Sequence, residues 1–481
     1  MKNIFIIQNK PSIVYVNSTD IDSERIDSAF YSNQYVRNEI ILKECGIKLD
    51  KLENIIETMN APIGWQGIPS SSYLPHGEGV PLIRVQNVSD LILDEESLIG
   101  VEENIYDNQP AIQAEANNII ITRVGSVGRI CRIPENISRI AMGQNLTRIR
   151  LKDRIVDSGF MLAYMASKYC QLQIERYSYG GVQASLTNKN IRKLLVPIPT
   201  LEIQEYIGDK IKQAEQLKKN SKLLNRELEN LFEDSISIDI NYIIKTDSKW
   251  SSVKENDINE DNISACYYKQ QYLEIEKKLS EIDINLIKLE EVTNSIKLGN
   301  TKKVSNYYCN KGVPYITTKN ITKKGIDLSK LIFIPSQISD DYLSKSKAYP
   351  NDILYNKSGN VGLSSILDDE YKEYNVVSDI IIIRPNIDKI DPYYLNVFLN
   401  SKLGKLGSER MSGGAIFQHI SIYDVGKIKV PMLPYKLQQE IGSKKSEAES
   451  CEKKANKLIE EAKKDIEDLI QGNFDMSKLN K

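Results

Sequence analysis

Histidine, tryptophan and paired cysteine are scarce in this chain, and long apolar runs are missing. His76 and His419 are the two histidines among 481 residues. The six cysteines fall at 45, 131, 170, 266, 309 and 451, and none forms a Cys-x-x-Cys pair. That set excludes a zinc constellation and offers no base for a nucleophilic Ser or Cys. It reads as free thiols in a reducing compartment, so a cytoplasmic location is expected. No segment approaches a membrane span, and the opening Met1-Lys-Asn-Ile-Phe-Ile-Ile-Gln is too short for a signal peptide. An excess of one charge is missing too: 63 Lys and Arg stand against 65 Asp and Glu, a net charge of -2. Bulk charge therefore does not advertise a nucleic-acid binder, although local fields decide that question.

Cofactor loops are equally scarce. Gly125-Ser-Val-Gly128 lacks the Lys-Ser/Thr of a phosphate loop. It reads, with Gly359-Asn-Val-Gly362, as a tight turn whose basic neighbour (Arg123, Lys357) points outward. Asp391-Pro-Tyr-Tyr394 lacks the second proline of the amino-methyltransferase tetrad, and its counterpart Ser158-Gly-Phe-Met161 has none. It reads as a helix start. The expectation is a chain with no catalytic step of its own.

What the chain does have is a long amphipathic stretch at 201–235. Ile207, Ile211, Ala214, Leu217, Ser221, Leu224, Leu228 and Leu231 recur in steps of four and three, with Lys, Glu and Asn elsewhere. As a helix it would be roughly 50 Å long. So thin a stripe needs a partner helix, and Ile441, Ala448, Cys451, Ala455, Leu458, Ala462 and Leu469 supply one near the end of the chain.

Everything before each helix also repeats. Arg25-Ile-Asp-Ser-Ala-Phe-Tyr31 has a cousin in Asn262-Ile-Ser-Ala-Cys-Tyr-Tyr268, a shift of 237 residues from Tyr31 to Tyr268. Gly79-Val-Pro-Leu-Ile matches Gly312-Val-Pro-Tyr-Ile, and the Gly-x-x-Gly turns at 125 and 359 match. So do Ser167-Lys168 and Ser401-Lys402, Gly180-Gly181 and Gly413-Gly414, and Val196-Pro197 and Val430-Pro431. By Gln204 and Gln438 the shift is 234. Landmarks in one order at a nearly fixed shift mark an internal duplication.

Short apolar runs between Gly, Asn and Asp turns point to strands, with one helix per copy at Phe160–Ala166 and Tyr393–Leu399. The fold class expected is α+β: two duplicated, mostly β domains and two long antiparallel coiled-coil helices about a pseudo-two-fold. The divisions are a tail with a short strand (1–20), domain one (21–200), helix one (201–235), a linker (236–257) with a strand at Ile238–Ile244, domain two (258–434) and helix two (435–472).

Charge is uneven within the domains. Eight basic residues lie between Arg123 and Arg154, and eight lysines between Lys297 and Lys330. Residues 91–116 hold seven acidic residues and no basic one, which hides the first patch from the bulk count. Lys and Arg hold phosphates, while Arg, Gln and Asn can read base edges. The candidate DNA-contacting residues are Arg84, Gln86, Asn87, Arg123, Arg129 and Gln183 in the first copy. In the second they are Thr317, Lys319, Asn320, Lys357, Asn360 and Gln418.

With its doubled openings, doubled Gly-x-x-Gly turns, doubled Gly-Gly segments and Val-Pro strands leading to Gln204-Glu-Tyr-Ile and Gln438-Gln-Glu-Ile, the chain from about residue 25 onward resembles the DNA specificity subunits of type I restriction-modification systems. One departure is that the family's usual Pro-Leu/Pro-x-x-Glu-Gln before the long helix reads Glu202-Ile-Gln204 and Lys436-Leu-Gln438 here. The resemblance implies two target-recognition domains, each reading half of a bipartite, asymmetric site in double-stranded DNA. It implies that the helices act as a ruler and dock two methyltransferase subunits, with endonuclease/translocase subunits joining them. S-adenosylmethionine, ATP and Mg would then belong to those partners, and this chain would hold no cofactor. The competing class is a protein-interaction scaffold carrying two adaptor domains on a coiled coil, and indifference to duplex DNA would distinguish it.

Overall fold

A computed structural model describes residues 14–16, 21–22, 25–62, 68–89, 91–152, 154–178, 184–245, 250–255, 258, 263–282, 284–329, 331–412 and 419–480. The strand expected near the start of the chain lies outside these residues. The chain divides into two compact units, residues 1–217 with 454–481, and residues 218–453. Each unit therefore takes one half of each long helix.

The long helices run Leu201–Ile236 and Tyr435–Ile470. In the first unit Lys210 reaches Asp465 (2.6 Å) and Glu461 (3.6 Å). In the second, Ser221 Oγ donates to the Ala448 carbonyl (2.8 Å) and Lys444 pairs with Glu227 (2.7 Å). In the second unit numbers rise on one helix as they fall on the other, so the helices run antiparallel there. Ala214, Ala448, Ala455 and Ala462 are buried, and small side chains at heptad spacing let the backbones approach. The stripe packs inward but is wider than expected: Leu217 and Leu231 are half-buried against the cores, and Lys218, with Glu452 at 4.0 Å, and Phe232 are buried beside them.

Two larger sheets carry most of the strands of each unit, beside the two-stranded pair 49–51 with 195–197 in the first unit and the pairs 285–288 with 429–432 and 321–322 with 325–326 in the second. In the first unit one sheet has the order 56–60, 146–151, 119–122, 130–132, 91–93, 88–89, and the other 73–74, 99–101, 80–83, 140–142, 113–114. In the second unit the corresponding sheets are 293–298, 380–385, 353–356, 364–366 and 332–334, 313–316, 374–376, 347–348. The registers repeat as well. Ala141 pairs in parallel with Leu82, and Asn375 with Tyr315. Leu146 faces Thr122, and Ile380 faces Asn356.

Central strands bury both faces, which is why they read as unbroken apolar runs. Ile119 and Ile121 point into a core with Phe160, Tyr164, Ile207 and Ile211, while Ile120 points into a core between the sheets with Ile83 and Met142. In the second unit Ile353 and Tyr355 face Tyr394 and Ile441, and Leu354 faces Ile316 and Ile382.

Each unit holds more helix than expected. The single predicted helix is two, Ser158–Ala166 and Lys168–Tyr177, and again Pro392–Asn400 and Lys402–Met411. Ser167 and Ser401 turn the corner, bonding back to Tyr164 and Phe398 carbonyls. The predicted strand at Ile238–Ile244 is instead a helix, Ile240–Lys245. The Asp239 carboxylate accepts from the Tyr242 N–H, and Ile240 and Ile243, three apart, are buried beside Phe232. The opening motifs serve as clamps. Arg176 donates to the Phe30 carbonyl and pairs with Glu39, and Arg410 donates to the Tyr267 carbonyl and pairs with Glu276.

The joint between domain and long helix is the same in both units. The Gln204 amide oxygen accepts from the Asp157 N–H (2.9 Å), while its nitrogen donates to the Pro199 carbonyl (3.0 Å). Gln438 accepts from Asp391 (3.1 Å) and donates to the Leu433 carbonyl (2.8 Å). Asp157 and Asp391 cap the following helices through the Phe160 and Tyr394 N–H groups. Asp391-Pro-Tyr-Tyr is thus a helix start, and its true counterpart begins at Asp157, one residue before Ser158. A Cβ on Gly208 or Gly442 would collide with the Asp157 or Asp391 carboxylate, which explains glycine inside a helix despite its cost of about 1 kcal/mol. Replacing Gln204 or Gln438 by Ala strands buried polar groups and should lower unfolding free energy by about 1–3 kcal/mol. The exposed Leu223→Ala should stay within about 0.5 kcal/mol. Equal denaturant midpoints for all three variants would refute the joint.

Candidate nucleic-acid interface

Strand direction gathers the candidate residues. In the first unit the strands Val80–Ile83, Ile119–Thr122 and Ile140–Met142 end where Ile130–Arg132 and Leu146–Leu151 begin. Three connections meet at that end. Gly143 N–H donates to the Ile83 carbonyl (2.8 Å), Arg123 N–H to Asn145 (2.8 Å), and Leu186 N–H to Arg123 (2.9 Å). The Arg84–Asn87 turn, the 143–145 loop, the Arg123–Gly128 turn and the 184–186 segment thus lie side by side. The second unit repeats the arrangement through Val377 to Ile316 (3.1 Å), Lys357 to Asp379 (2.8 Å) and Ile420 to Lys357 (3.2 Å). Gly125, Gly128, Gly359 and Gly362 all have φ between 75° and 87°, a left-handed conformation that disfavours other residues.

Within this surface some expected readers are structural. Asn87 and Asn320 are buried. The Asn87 side chain accepts from the Arg84 N–H (2.7 Å) and donates to Ser97, and that of Asn320 accepts from the Thr317 N–H (3.0 Å) and donates to the Asp327 carbonyl. These amides close three-residue turns and have nothing left for a base edge. Thr317 spends its hydroxyl on Asn320 (2.8 Å), and Arg84 leans on the Ser97 carbonyl (3.3 Å). Arg123 does not point outward: its guanidinium donates to the Pro62 and Gln144 carbonyls, and burial pushes its pKa down.

Others keep a free reach. Among the described residues Gln86, Arg129, Lys319 and Asn360 are exposed, and no hydrogen bond or ion pair engages their side chains. Lys357 is half-buried and likewise uncommitted. Gln183 and Gln418 lie outside the described residues.

Most of the first basic stretch is consumed internally. Arg132 pairs with Glu215 on the long helix and donates to Ser158, Arg139 pairs with Asp107, Arg150 with Glu57 and Glu115, and Arg148 and Lys152 hold carbonyls. Burial raises the Glu215 pKa, opposed by Arg132. The acidic segment 91–116 is therefore partly the counterion of this stretch. Sequence reasoning passes over Tyr307 and Tyr308. With 26 tyrosines spread along the chain, the pair does not stand out, and its place among Lys302, Lys303 and Lys311 is the signal that singles it out.

Two copies of a strand-tip surface on a shared scaffold define a duplicated recognition module. The chain belongs to the family of the type I restriction modification DNA specificity domain, whose model matches residues 66–230 and again 281–463. It is 28% identical over 152 residues to a Methanocaldococcus jannaschii protein carrying the provisional name type I restriction enzyme MjaX specificity subunit, covering 32% of this chain and 33% of that one. It is 26% identical over 136 residues to the type I restriction enzyme EcoBI specificity subunit of Escherichia coli, covering 28% of each. The chain thus spans about a third or less of each of these curated relatives. Solved structures that resemble it include the S subunit of a type I restriction-modification system from M. genitalium, at 16% identity and TM-score 0.46, covering 89% of this chain and 97% of that chain. The HsdS subunit from Thermoanaerobacter tengcongensis matches at 13% identity and TM-score 0.28, covering 89% and 96%.

The surface sorts into supports and free side chains, which stability can separate. Asn87→Ala and Asn320→Ala should each cost about 1–3 kcal/mol of unfolding free energy. Gln86→Ala and Lys319→Ala should stay within about 0.5 kcal/mol. Equal losses in thermal melts would refute the division.

Proposed function

We propose that this chain is the DNA-specificity subunit of a type I restriction-modification complex, and that each strand-tip surface reads one half of a bipartite, asymmetric duplex site. One observation carries the reading. The two units keep the same register, turns and helix joint, and they differ at the exposed tips. Gln86 stands where the second copy has Lys319 and Ser126 where it has Asn360, both exposed in each copy, while the exposed Arg129 gives way to the half-buried Leu363. Equal scaffolds with unequal tips imply two different half-site words.

In this reading the long helices set the spacer and dock two methyltransferase subunits, to which endonuclease/translocase subunits add. S-adenosylmethionine, ATP and Mg act on those partners, and this chain contributes recognition without a chemical step. Among the described residues no helix is long and apolar enough to cross a membrane, and a cytoplasmic location fits DNA as the ligand.

Duplex binding by the chain with its methyltransferase partners should weaken with salt along a log–log slope near -0.9 per phosphate neutralised. Salt-independent binding, or none to duplex, favours a protein-interaction scaffold instead. Inserting four residues in the first long helix adds ~6 Å, close to two base pairs at 3.4 Å per step. Selection from a library of spacer lengths should recover a longer spacer, and an unchanged spacer sinks the ruler.

A further inference from the structure

Beside the reading turns of the second unit lies a second exposed surface. The loop after strand Thr293–Leu298 starts at Gly299, and Asn300 forms a parallel bridge with Val377. Val377 belongs to the connection that joins the Thr317 and Lys357 turns, so the loop continues the strand-tip surface sideways. It carries Lys302, Lys303, Tyr307, Tyr308 and Lys311, all exposed. The two tyrosines are 40% and 45% exposed, too much for core residues of that size.

The loop is shaped, not loose. Asn300 Nδ2 donates to the Lys302 carbonyl (2.7 Å) and to the Tyr315 hydroxyl (3.3 Å). Tyr308 packs on Tyr315 with ring centres 6.2 Å apart, and Tyr307 on Tyr342 at 6.2 Å. Cys309 N–H donates to the Phe333 carbonyl (2.9 Å). Lys302 Nζ sits 3.9 Å from the centre of the Tyr342 ring and donates to the Tyr342 carbonyl (2.9 Å). A ring and a carbonyl orient that ammonium without cancelling its charge. Among the described residues no carboxylate pairs with Lys302, Lys303 or Lys311. Lysines elsewhere in the unit do find partners: Lys347 pairs with Asp340 and Glu373, and Lys453 with Asp368 and Glu370.

We propose that Lys302, Lys303 and Lys311, with the hydroxyls of Tyr307 and Tyr308, hold the phosphate backbone of duplex flanking the word read by the second unit. This rests on the DNA-specificity reading above and deepens it. Lysine is a point charge and tyrosine a single donor, and both suit phosphate oxygens better than bidentate base reading. The contact therefore supplies affinity without sequence preference.

The test uses the full chain with its methyltransferase partners. Replacing Lys302, Lys303 and Lys311 together by Gln should flatten the log–log salt slope by about three contacts' worth, roughly 0.9 each. The word selected from random duplex should not change. Tyr307→Phe with Tyr308→Phe should weaken binding to all sequences alike. These side chains are exposed, so melting temperature should stay put in each variant. An unchanged slope overturns the proposal. So does a changed second word, which would make these residues base readers. If duplex binding persists while a protein subunit is lost from the complex, the surface docks protein and the proposal falls. A wild-type chain that ignores duplex would remove the specificity reading itself. A salt-sensitive wild type with an indifferent triple variant removes only this contact.

Discussion

A buried glutamine amide with a partner on its oxygen and another on its nitrogen fixes where everything else can stand. Gln204, in the first turn of the long helix, ties the segment after strand Leu195–Pro197 to the cap residue of an internal helix. Gly208 one turn later removes the side chain that would hold Asp157 off. A buried amide satisfied on both its oxygen and its nitrogen tolerates little displacement, because an unmade bond there costs its full desolvation. The same four groups recur as Gln438, Asp391, Leu433 and Gly442. Each domain is thus anchored to its long helix by a polar contact with defined geometry and not by apolar packing alone.

From that joint the rest follows outward. The helix capped by Asp157 presents Phe160 and Tyr164 to Ile119 and Ile121. Ile120, on the other face of the same strand, faces the second sheet. A strand buried on both sides cannot slip by one residue without exchanging its two cores. Its end, and so the turn at Arg123–Gly128, is placed by the interior of the domain. The recognition surface inherits its shape from residues that never touch a ligand.

How much of this can be read in the sequence depends on which physical signal is strong. The long helices are legible because a four-three stripe kept up from Ile207 to Leu231 fits a paired helix and neither a strand nor a loop. The duplication is legible because its landmarks keep one order. The residues that widen the stripe are not. Lys218 is buried beside Glu452, and a lysine gives no periodic signal that marks it as interior. The second helix of each pair, Lys168–Tyr177 and Lys402–Met411, is hidden because its polar residues dilute the pattern, and Ser167 and Ser401 break it. At Ile238–Ile244 the period misleads: Ile at 238, 240, 243 and 244 fits either period over so short a run, and the Asp239 cap decides for helix.

The candidate surface shows the same limit more sharply. Gln86 and Asn87 are neighbours with the same amide chemistry, and composition cannot tell them apart. Yet Asn87 is locked inside its turn by two hydrogen bonds, and Gln86 projects into solvent. Asn320 and Lys319 divide in the same way. Burial, which one sequence does not display, separates the support from the free side chain. It also gives the pattern of difference between the copies a physical basis. A change at a buried, bonded amide costs the fold, whereas an exposed substitution is nearly neutral for stability. Two domains descended from one can therefore differ at their tips without disturbing the registers beneath, and Gln86 against Lys319 and Ser126 against Asn360 are such differences.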